Sequence, residues 1–381
     1  MKLHETLFSA DYPGGNIIVE RMEGDCVWLS PDFRHMQEGQ KWFYWSFQAH
    51  NERPLTVVFS HRNYLSAHGP AISRDGGVSW NWLGRDGVRE QPISDHLIEY
   101  AFEIPAIPEG ADVRYAFCPQ YQQSDWEHWL QTHRNHPALE VSEFCTSRNG
   151  RRVEMLSIRE GEPQKIIWLM ARHHACEAAA SYVLEGMLET VLGDDAVGKQ
   201  LRANWEFVAT PFMDKDGVEE GDQGKLRHPH DHNRDYTDKP IYPEVAAAMR
   251  FGETHKNDIV AFFDIHCPMV HGPWDNRFYL VGNQSPQVAE RQVAFMKVFK
   301  THRTGSVDCY QGGVLSYGEA WNTGANFSQG ENAANWAAQK FRRAKIVASF
   351  EIPYANSEGI EMNPESERSL GRDLAVALRH Y

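Results

Sequence analysis

A histidine and a glutamate three residues apart stand where an apolar stretch of the sequence ends. The stretch 165–171 is followed by His174 and Glu177, and an alanine-rich segment with helical spacing continues from there. At the start of a helix, positions i and i+3 lie on one face, so an imidazole nitrogen and a carboxylate can share one cation. The same pair is also consistent with a surface helix whose first turn carries an acid favoured by the helix dipole.

Two more apolar stretches end in residues that a protein core would not choose. Residues 259–265 precede His266, and residues 345–350 precede Glu351. In open α/β sheets, ligands bind outside the carboxyl ends of the strands. If these stretches are parallel neighbours, their polar ends converge with the histidine–glutamate pair at one edge of a sheet.

Two histidines and one carboxylate are a frequent ligand set for catalytic zinc, and they leave one coordination position open. His174, Glu177 and His266 supply that set. Zinc lowers the pKa of a bound water towards neutrality and polarises a carbonyl group, so hydrolysis of an amide or ester is the natural chemistry. Glu351 is the candidate general base, because a carboxylate at that strand end can take a proton from the water and pass it to a leaving amine.

The segment 231–236 adds groups that suit a substrate with a free carboxylate. Arg234 offers a planar fork that matches a carboxylate, and Asn233 beside it adds a second donor. Asp231 can hold a zinc-bound imidazole through its other ring nitrogen, which is the usual arrangement around metal-binding histidines. A metal-dependent hydrolase that grips a substrate carboxylate is therefore predicted.

The chain is expected to fold into two domains of different architecture, residues 1–137 and residues 138–381. Its 381 residues exceed the usual size of one domain. In the first part, short strand-like stretches recur between turn residues without helical segments between them, which favours an all-β sandwich. In the second part, strands alternate with helices, which predicts an α/β domain with a mixed sheet flanked by helices.

In the first part the strand-like stretches are 17–20, 26–29, 42–47, 55–59, 96–104 and 113–117, and a helical segment follows at 124–136. In the second part the strands are 165–171, 205–211, 259–265 and 345–350, and the helices are 175–192, 243–252, 286–301 and 330–343.

The composition is typical of a soluble globular protein, with 41% hydrophobic and 24% charged residues. A net charge of −14 argues against nucleic acid as a partner, because binding phosphates needs a basic face. No stretch approaches the roughly 20 apolar residues that span a bilayer, and no signal peptide is visible. Six cysteines without a CxxC motif indicate reduced thiols, so a cytoplasmic location is expected.

These motifs resemble those of the M14 (carboxypeptidase A-like) zinc carboxypeptidases, and within that family the cytosolic carboxypeptidase branch. The four site motifs resemble the family's HxxE, DxNR, DLH and TxE, and they are His174-Ala-Cys-Glu177, Asp231-His-Asn-Arg234, Asp264-Ile-His266 and Ser349-Phe-Glu351. Trp42-Phe-Tyr, Asp216-Gly-Val and the segment 363–371 resemble further parts of the branch in the same order. The resemblance therefore covers most of the chain.

The resemblance implies a metallocarboxypeptidase that removes the C-terminal amino acid from a peptide or protein tail, with one zinc ion per chain. It implies that the two histidines and the glutamate named above bind zinc, that Glu351 is the general base, and that Asn233 and Arg234 grip the terminal carboxylate. His173 is not expected to be a ligand, because the strand end and the i, i+3 spacing favour its neighbour His174.

The chain departs from the family at two positions. The family keeps an arginine that polarises the scissile carbonyl shortly before DxNR; counting back leads here to Gly224, with Lys225 and Arg227 close by. Arg227 is the predicted substitute. The family's mobile tyrosine also lacks a clear counterpart, and Tyr317 is the predicted equivalent with Tyr310 as the second candidate.

Two other functions stay open at this point. A zinc-dependent N-acyl amino acid amidohydrolase would use the same HxxE pair and an Asn–Arg grip on a related fold, although the predicted N-terminal sandwich argues against it. A catalytically weak relative that binds peptides or glycans would require a missing ligand or base, and none is missing from the sequence.

Overall fold

The structure is a computed structural model that describes residues 7–60, 63–94, 97–327 and 330–381. The predicted strand 96–104 is found as a strand from Leu97 to Ile104, and His96 lies outside the described residues. No helix within the described ranges is both long and apolar enough to cross a membrane.

The N-terminal part is built from short strands and one helix. Its elements are β1 (Phe8–Ser9), β2 (Ile18–Glu23), β3 (Cys26–Ser30), β4 (Ser46–Ala49), β5 (Leu55–Ser60), β6 (Ala71–Ser73), β7 (Asn81–Trp82), β8 (Val88–Ser94), β9 (Leu97–Ile104), β10 (Val113–Ala116) and α1 (Gln123–His133). The strands form two five-stranded sheets, in the orders β1-β4-β10-β6-β7 and β2-β3-β5-β9-β8.

Aromatic side chains from the two sheets fill the space between them. The rings of Trp45 and Phe59 lie 5.0 Å apart, and those of Phe102 and Tyr115 lie 6.0 Å apart. All four side chains are buried. Sheets that pack face to face are held by such interdigitating side chains, so the N-terminal part is a β-sandwich, as the sequence predicts.

The second part alternates strands and helices. Its elements are β11 (Leu139–Thr146), β12 (Arg152–Ile158), β13 (Ile166–Ala171), α2 (Ala178–Leu192), α3 (Ala196–Asn204), β14 (Glu206–Thr210), α4 (Lys215–Glu220), α5 (Pro243–Thr254), β15 (Ile259–His266), β16 (Phe278–Val281), α6 (Pro286–His302), β17 (Cys309–Leu315), α7 (Ala333–Lys340), β18 (Ile346–Glu351), β19 (Asn356–Ser357), β20 (Ile360–Glu361) and α8 (Pro364–His380).

Eight of these strands form one mixed sheet, in the order β11-β12-β14-β13-β15-β18-β16-β17. The four central strands, β14, β13, β15 and β18, pair in parallel. The pairs β11–β12, β12–β14 and β16–β18 are antiparallel, and the edge strand β17 pairs in parallel with β16. Helices α2, α3, α6 and α8 contribute to the core on one face, and α5 and α7 to the core on the other. The α/β fold with helices on both faces of a mixed sheet is confirmed.

The strands β13, β15 and β18 are apolar over most of their length because both of their faces are covered. Every residue of β13 and β18 is buried, and so are seven of the eight residues of β15. Parallel strands between two helical layers have this pattern. The sequence therefore predicts these strands well, since continuous apolar runs of about six residues stand out from the polar loops around them.

The pairing register brings the polar ends of the central strands together. Ala171 at the end of β13 pairs with Ile265, and the next residue of β15, His266, pairs with Glu351 at the end of β18. Helix α2 begins at Ala178, three residues later than predicted, so residues 172–177 form an irregular loop at this edge of the sheet.

A buried glutamine of the second part, Gln223, joins the two parts of the chain. The Gln223 side chain accepts a hydrogen bond from Tyr44 N at 2.7 Å and donates to the Tyr44 carbonyl at 2.8 Å and the Asp32 carbonyl at 3.1 Å. Asn16 Nδ2 also donates to the Gly221 carbonyl at 2.7 Å. Because these bonds satisfy the backbone around Tyr44, this residue lies outside the strand predicted at 42–47; the strand found there is Ser46–Ala49.

Candidate active site

Two imidazoles and one carboxylate meet at the carboxyl ends of β13 and β15. His174 Nδ1 lies 2.7 Å from Glu177 Oε1, and His266 Nδ1 lies 2.8 Å from Glu177 Oε2. One ligand atom of each residue lies within 4.8 Å of the others, and all three residues are buried. The structure therefore brings together the three residues predicted to bind a metal.

Each imidazole has a second carboxylate on its other nitrogen. His266 Nε2 lies 2.7 Å from Asp264 Oδ2, and His174 Nε2 lies 3.6 Å from Asp231 Oδ1. Metal-binding histidines almost always direct their remaining nitrogen to a carboxylate, carbonyl or water, which fixes the ring and leaves the first nitrogen for the metal. Both Nδ1 atoms face Glu177, so both are placed to bind the same ion.

The ionisation of this cluster fits a cation. Burial raises the pKa of Glu177, but the imidazoles of His174 and His266 lower it overall to about 2. Burial lowers the pKa of His266, but Asp264 and Glu177 raise it well above its usual value, because they hold the protonated ring. Buried charges need partners or a metal, and a divalent cation replaces such protons when it binds. The donor set therefore fits the zinc that the motifs imply.

A second set of donors shares one histidine with this cluster: His173, Asp264 and His266. Both nitrogens of His173 are occupied, because Nδ1 lies 2.7 Å from Asp264 Oδ1 and Nε2 lies 2.8 Å from the Tyr236 hydroxyl. Burial lowers the pKa of His173. This histidine therefore holds Asp264 in place, and that it is not a metal ligand stays a prediction.

Glu351 faces the same cluster from β18, as the pairing partner of His266. It is 8% exposed, and its Oε2 has no hydrogen-bond partner among the described residues. Burial raises the pKa of Glu351 to about 8, although the charge of His266 lowers it. A cation beside this carboxylate favours its ionised form, so a metal bound at this cluster would lower the pKa of Glu351.

Asn233 and Arg234 lie in a short 3-10 turn beside the ligands. Asn233 Nδ2 lies 3.1 Å from His266 Nε2, and its Oδ1 accepts a hydrogen bond from Ala333 N at 2.9 Å. The Arg234 guanidinium donates to Asn326, through Nε to the carbonyl at 3.1 Å and through Nη2 to Oδ1 at 3.3 Å. Asn233 thus contacts a ligand directly, and Arg234 is held by a loop that the sequence did not single out.

Arg227 is bound by two carboxylates. Its Nη2 donates to Asp214 Oδ2 at 2.7 Å and to Asp222 Oδ2 at 3.0 Å. Burial lowers the pKa of Arg227, but these two charges raise it overall. The guanidinium is therefore already paired, which counts against its predicted role of polarising a substrate carbonyl.

Lys225 occupies a segment that touches the loop of residues 172–177. Gly224 has φ +73°, and a Cβ atom on it would lie 2.1 Å from Ala175 N, so only glycine fits there. On the other side of Lys225, Leu226 N donates to Asp231 Oδ2 at 3.2 Å. The backbone of Lys225 is therefore held on both sides, by the contact of Gly224 with Ala175 and by the hydrogen bond of Leu226 to Asp231.

The ammonium of Lys225 is available to the site. No hydrogen bond or ion pair within the described residues engages it, and its Nζ lies 6.0 Å from the centroid of the Trp42 ring. Its charge lowers the pKa of Glu351 and of Asp231. From the sequence, Arg227 rather than Lys225 is the predicted substitute for the family's arginine. The carboxylates that bind Arg227 lie five and thirteen positions before it, and their contact with it depends on how this segment folds.

The two candidate tyrosines differ in their surroundings. Tyr317 follows β17 and is 41% exposed. Tyr310 lies within β17, where the guanidinium carbon of Arg277 lies 3.6 Å from its ring centroid and Trp274 packs edge-on at 5.3 Å. Tyr317 is thus the more exposed of the two, and its role stays a prediction.

A family profile and several known proteins are similar in sequence to this chain. The profile of Peptidase M14, zinc carboxypeptidase, matches residues 126–360. Cytosolic carboxypeptidase 6 of Caenorhabditis elegans is 24% identical over 322 residues, which are 78% of this chain and 69% of that protein. Its mouse counterpart is 23% identical over 283 residues, and the match spans 68% of this chain but only 51% of the mouse protein.

Solved structures share the fold. A metallo-carboxypeptidase from Burkholderia cenocepacia superposes with a TM-score of 0.77 at 21% identity, over 98% of both chains. A metallo-carboxypeptidase from Pseudomonas aeruginosa, in complex with (2-guanidinoethylmercapto)succinic acid, gives a TM-score of 0.72 at 20% identity, again over 98% of both chains.

Fold and site together define a peptidase of the metallocarboxypeptidase class, with its ligand set at the carboxyl ends of parallel strands. The chain belongs to the Peptidase M14 family of zinc carboxypeptidases, whose profile covers more than half of its length. Membership implies zinc, and the cluster of His174, Glu177 and His266 is a group of donors that can hold it.

Replacing a ligand tests this cluster. We expect His174→Ala to lose bound zinc, because removing one of three protein ligands leaves too few donors for the ion. The zinc content per chain after gel filtration, measured by elemental mass spectrometry, checks this loss. His230→Ala is the matched control, since His230 is hydrogen-bonded to Asp235 rather than to the cluster. Zinc retained at wild-type stoichiometry by His174→Ala would contradict the ligand assignment.

Proposed function

We propose that this protein is a zinc-dependent carboxypeptidase that removes the C-terminal amino acid from a peptide or protein tail, with one zinc ion per chain. The observation that carries the proposal is the convergence of both Nδ1 atoms on Glu177, with the unpartnered carboxylate of Glu351 on the neighbouring strand. His174, Glu177 and His266 hold the metal in this proposal.

Zinc bound to three protein ligands lowers the pKa of a water at its open position and polarises a carbonyl group. The residues of the chain supply the proton transfers. Glu351 accepts a proton from the attacking water and donates it to the leaving amine. Asp264 and Asp231 keep the imidazoles of His266 and His174 in the orientation that leaves Nδ1 for the metal.

Binding of the terminal carboxylate is assigned to Asn233 and Arg234. Arginine is suited to this role because its planar fork matches a carboxylate with two parallel hydrogen bonds. The contact of Asn233 with His266, at 3.1 Å, supports a carboxylate-binding site next to the proposed metal ligands. A grip at that distance limits cleavage to the last peptide bond. Tyr317 is proposed to close over the substrate from the exposed segment after β17.

Lys225 is the proposed cation that stabilises the negative charge developing on the scissile carbonyl oxygen. The resemblance implied Arg227 for this role, but Asp214 and Asp222 already bind its guanidinium. The Lys225 ammonium, in contrast, is unpaired within the described ranges and acts on the pKa of Glu351. A positive charge placed before the reaction begins stabilises the transition state without reorganisation.

Glu351→Gln tests the assignment of the base. We expect zinc content to stay at the wild-type value and kcat to fall by about 100- to 10,000-fold, because glutamine cannot accept the proton. Mass spectrometry of a peptide library with varied C-termini measures the loss of single residues and ranks the preferred side chain. Glu361→Gln, a change at an exposed position of β20, is the control. Full activity of Glu351→Gln would overturn the mechanism.

Replacing Lys225 tests its charge through the pH dependence. The positive charge of Lys225 lowers the pKa of Glu351, so its removal in Lys225→Met raises that pKa. The acidic limb of kcat/KM against pH should therefore move to higher pH, by roughly half a unit or more. Lys225→Arg should leave the limb in place, as should Lys239→Met at an exposed position. An unmoved limb in Lys225→Met would remove Lys225 from the site.

A zinc-dependent N-acyl amino acid amidohydrolase is the second candidate, because an N-acyl amino acid also presents a carboxylate next to an amide. The N-terminal sandwich favours the carboxypeptidase, since solved metallo-carboxypeptidases align over 98% of this chain, including that domain. Acyl-amino acids assayed beside short peptides discriminate the two. Faster hydrolysis of the acyl-amino acids would favour the amidohydrolase.

A cytoplasmic location is also proposed. Its support is the name of the relatives, cytosolic carboxypeptidases, and the six cysteines, none of which is disulfide-bonded. Thiols of this kind persist in a reducing compartment.

A further inference from the structure

The loop of residues 172–177 carries two of the three proposed metal ligands and belongs to no helix or strand. Its first residue, Arg172, has φ +62°, in the left-handed region that residues other than glycine seldom adopt. Asp214 N donates to the Arg172 carbonyl at 2.8 Å and so holds this turn from the neighbouring strand end. A conformation of this kind persists only where the surroundings fix it.

The side chain of Arg172 folds back onto its own loop. Its Nε donates to the Ala175 carbonyl at 3.1 Å, and its Nη2 donates to the same oxygen. Its Nη1 donates to the Tyr121 carbonyl at 2.9 Å and to Ser181 Oγ at 3.1 Å. One guanidinium thus joins the middle of the loop, the first turns of α2 and the segment before α1.

Arg172 is 1% exposed, yet no carboxylate lies within 4.0 Å of it in the described parts of the chain. Burying a cation without an ion pair is costly, so its bonds to carbonyl and hydroxyl oxygens must hold it. A lysine has three donors on a flexible stem and cannot reach three groups in different directions, whereas the planar guanidinium can. The position therefore requires the shape of arginine as well as its charge.

We propose that Arg172 is a positioning residue for the metal. By bonding the Ala175 carbonyl, it fixes the peptide between His174 and Glu177 and so presets the distance between the two ligands. This proposal rests on the proposed metal site but does not depend on peptide hydrolysis. It also gives the segment before α1 a part in metal binding, because the Tyr121 carbonyl is one of the groups that hold the guanidinium.

The test compares two buried arginines that bond backbone carbonyls near opposite ends of α2. Arg202 is 4% exposed, and its Nη1 donates to the carbonyls of Val191 at 2.7 Å and Gly193 at 2.8 Å, away from the ligands. Arg172→Met should weaken zinc affinity about 10- to 100-fold, the usual effect of losing a group that orients metal ligands. Arg202→Met should keep zinc affinity within about twofold of wild type, even if its melting temperature falls as much as that of Arg172→Met.

Competition with a chromophoric chelator measures both zinc affinities. Equal affinities for Arg172→Met and the wild type, or equal losses in the two methionine variants, would overturn the proposal. If Arg172→Met does not fold, Arg172→Lys carries the test, because it keeps the charge and loses the fork. Arg172→Lys should still weaken zinc binding at least about threefold, and a wild-type zinc affinity in this variant would contradict the proposal. A wild-type protein that binds no zinc would instead refute the metal site itself.

Discussion

The structure depends on holding two imidazoles against one buried carboxylate. The Glu177 carboxylate receives His174 on one oxygen and His266 on the other, at 2.7 and 2.8 Å. Such a group of ionisable residues is costly to bury unless protons or a cation balance its charges. The parallel register of β13 with β15 and the loop before α2 bring these three side chains together.

The groups around this centre fix its geometry in layers. Asp264 serves two histidines at once, His266 through one oxygen and His173 through the other. Its pKa is lowered because both rings favour its ionised form, although burial alone would raise it. Tyr236 completes the chain of contacts by bonding His173. The two imidazoles of the proposed metal site are thus oriented by side chains outside the proposed ligand set, an arrangement that is common around metal-binding histidines.

The N-terminal sandwich belongs to this arrangement. Its Tyr44 backbone is hydrogen-bonded to the side chain of Gln223, and the next residue, Gly224, packs against the loop of residues 172–177. Through the segment after its last strand it supplies the Tyr121 carbonyl to Arg172. Both contacts end on residues 172–177, so the β-sandwich stabilises the loop on which two ligands are placed. The division between the two parts at 137 and 138 stays a prediction.

Much of this could be predicted from the sequence, because the central strands are apolar on both faces and their polar ends carry recognisable motifs. His174, Glu177, His266 and Glu351 were all found at one edge of the sheet for this reason. The helix predicted from 175 begins at Ala178, since the loop geometry depends on tertiary bonds made by an arginine outside any motif.

The choice between Arg227 and Lys225 was beyond sequence reasoning for a related cause. The two residues are two positions apart, and both are cations. What separates them is the pairing of Arg227 with Asp214 and Asp222, which only the folded chain reveals. The hairpin of β11 and β12 was likewise not predicted, because its strands mix buried, half-buried and exposed residues, whereas the central strands are continuous buried runs.

The central claim is that a metal and a carboxylate grip act together on the last residue of a peptide. The most direct measurement follows two peptides of identical sequence by mass spectrometry with the zinc-loaded protein, one ending in a free carboxylate and the other in an amide. The account predicts that the free peptide loses one residue at a time and that the amide reacts at least about a hundredfold more slowly. Equal cleavage of both peptides, cleavage at internal bonds, or no cleavage of either would contradict it.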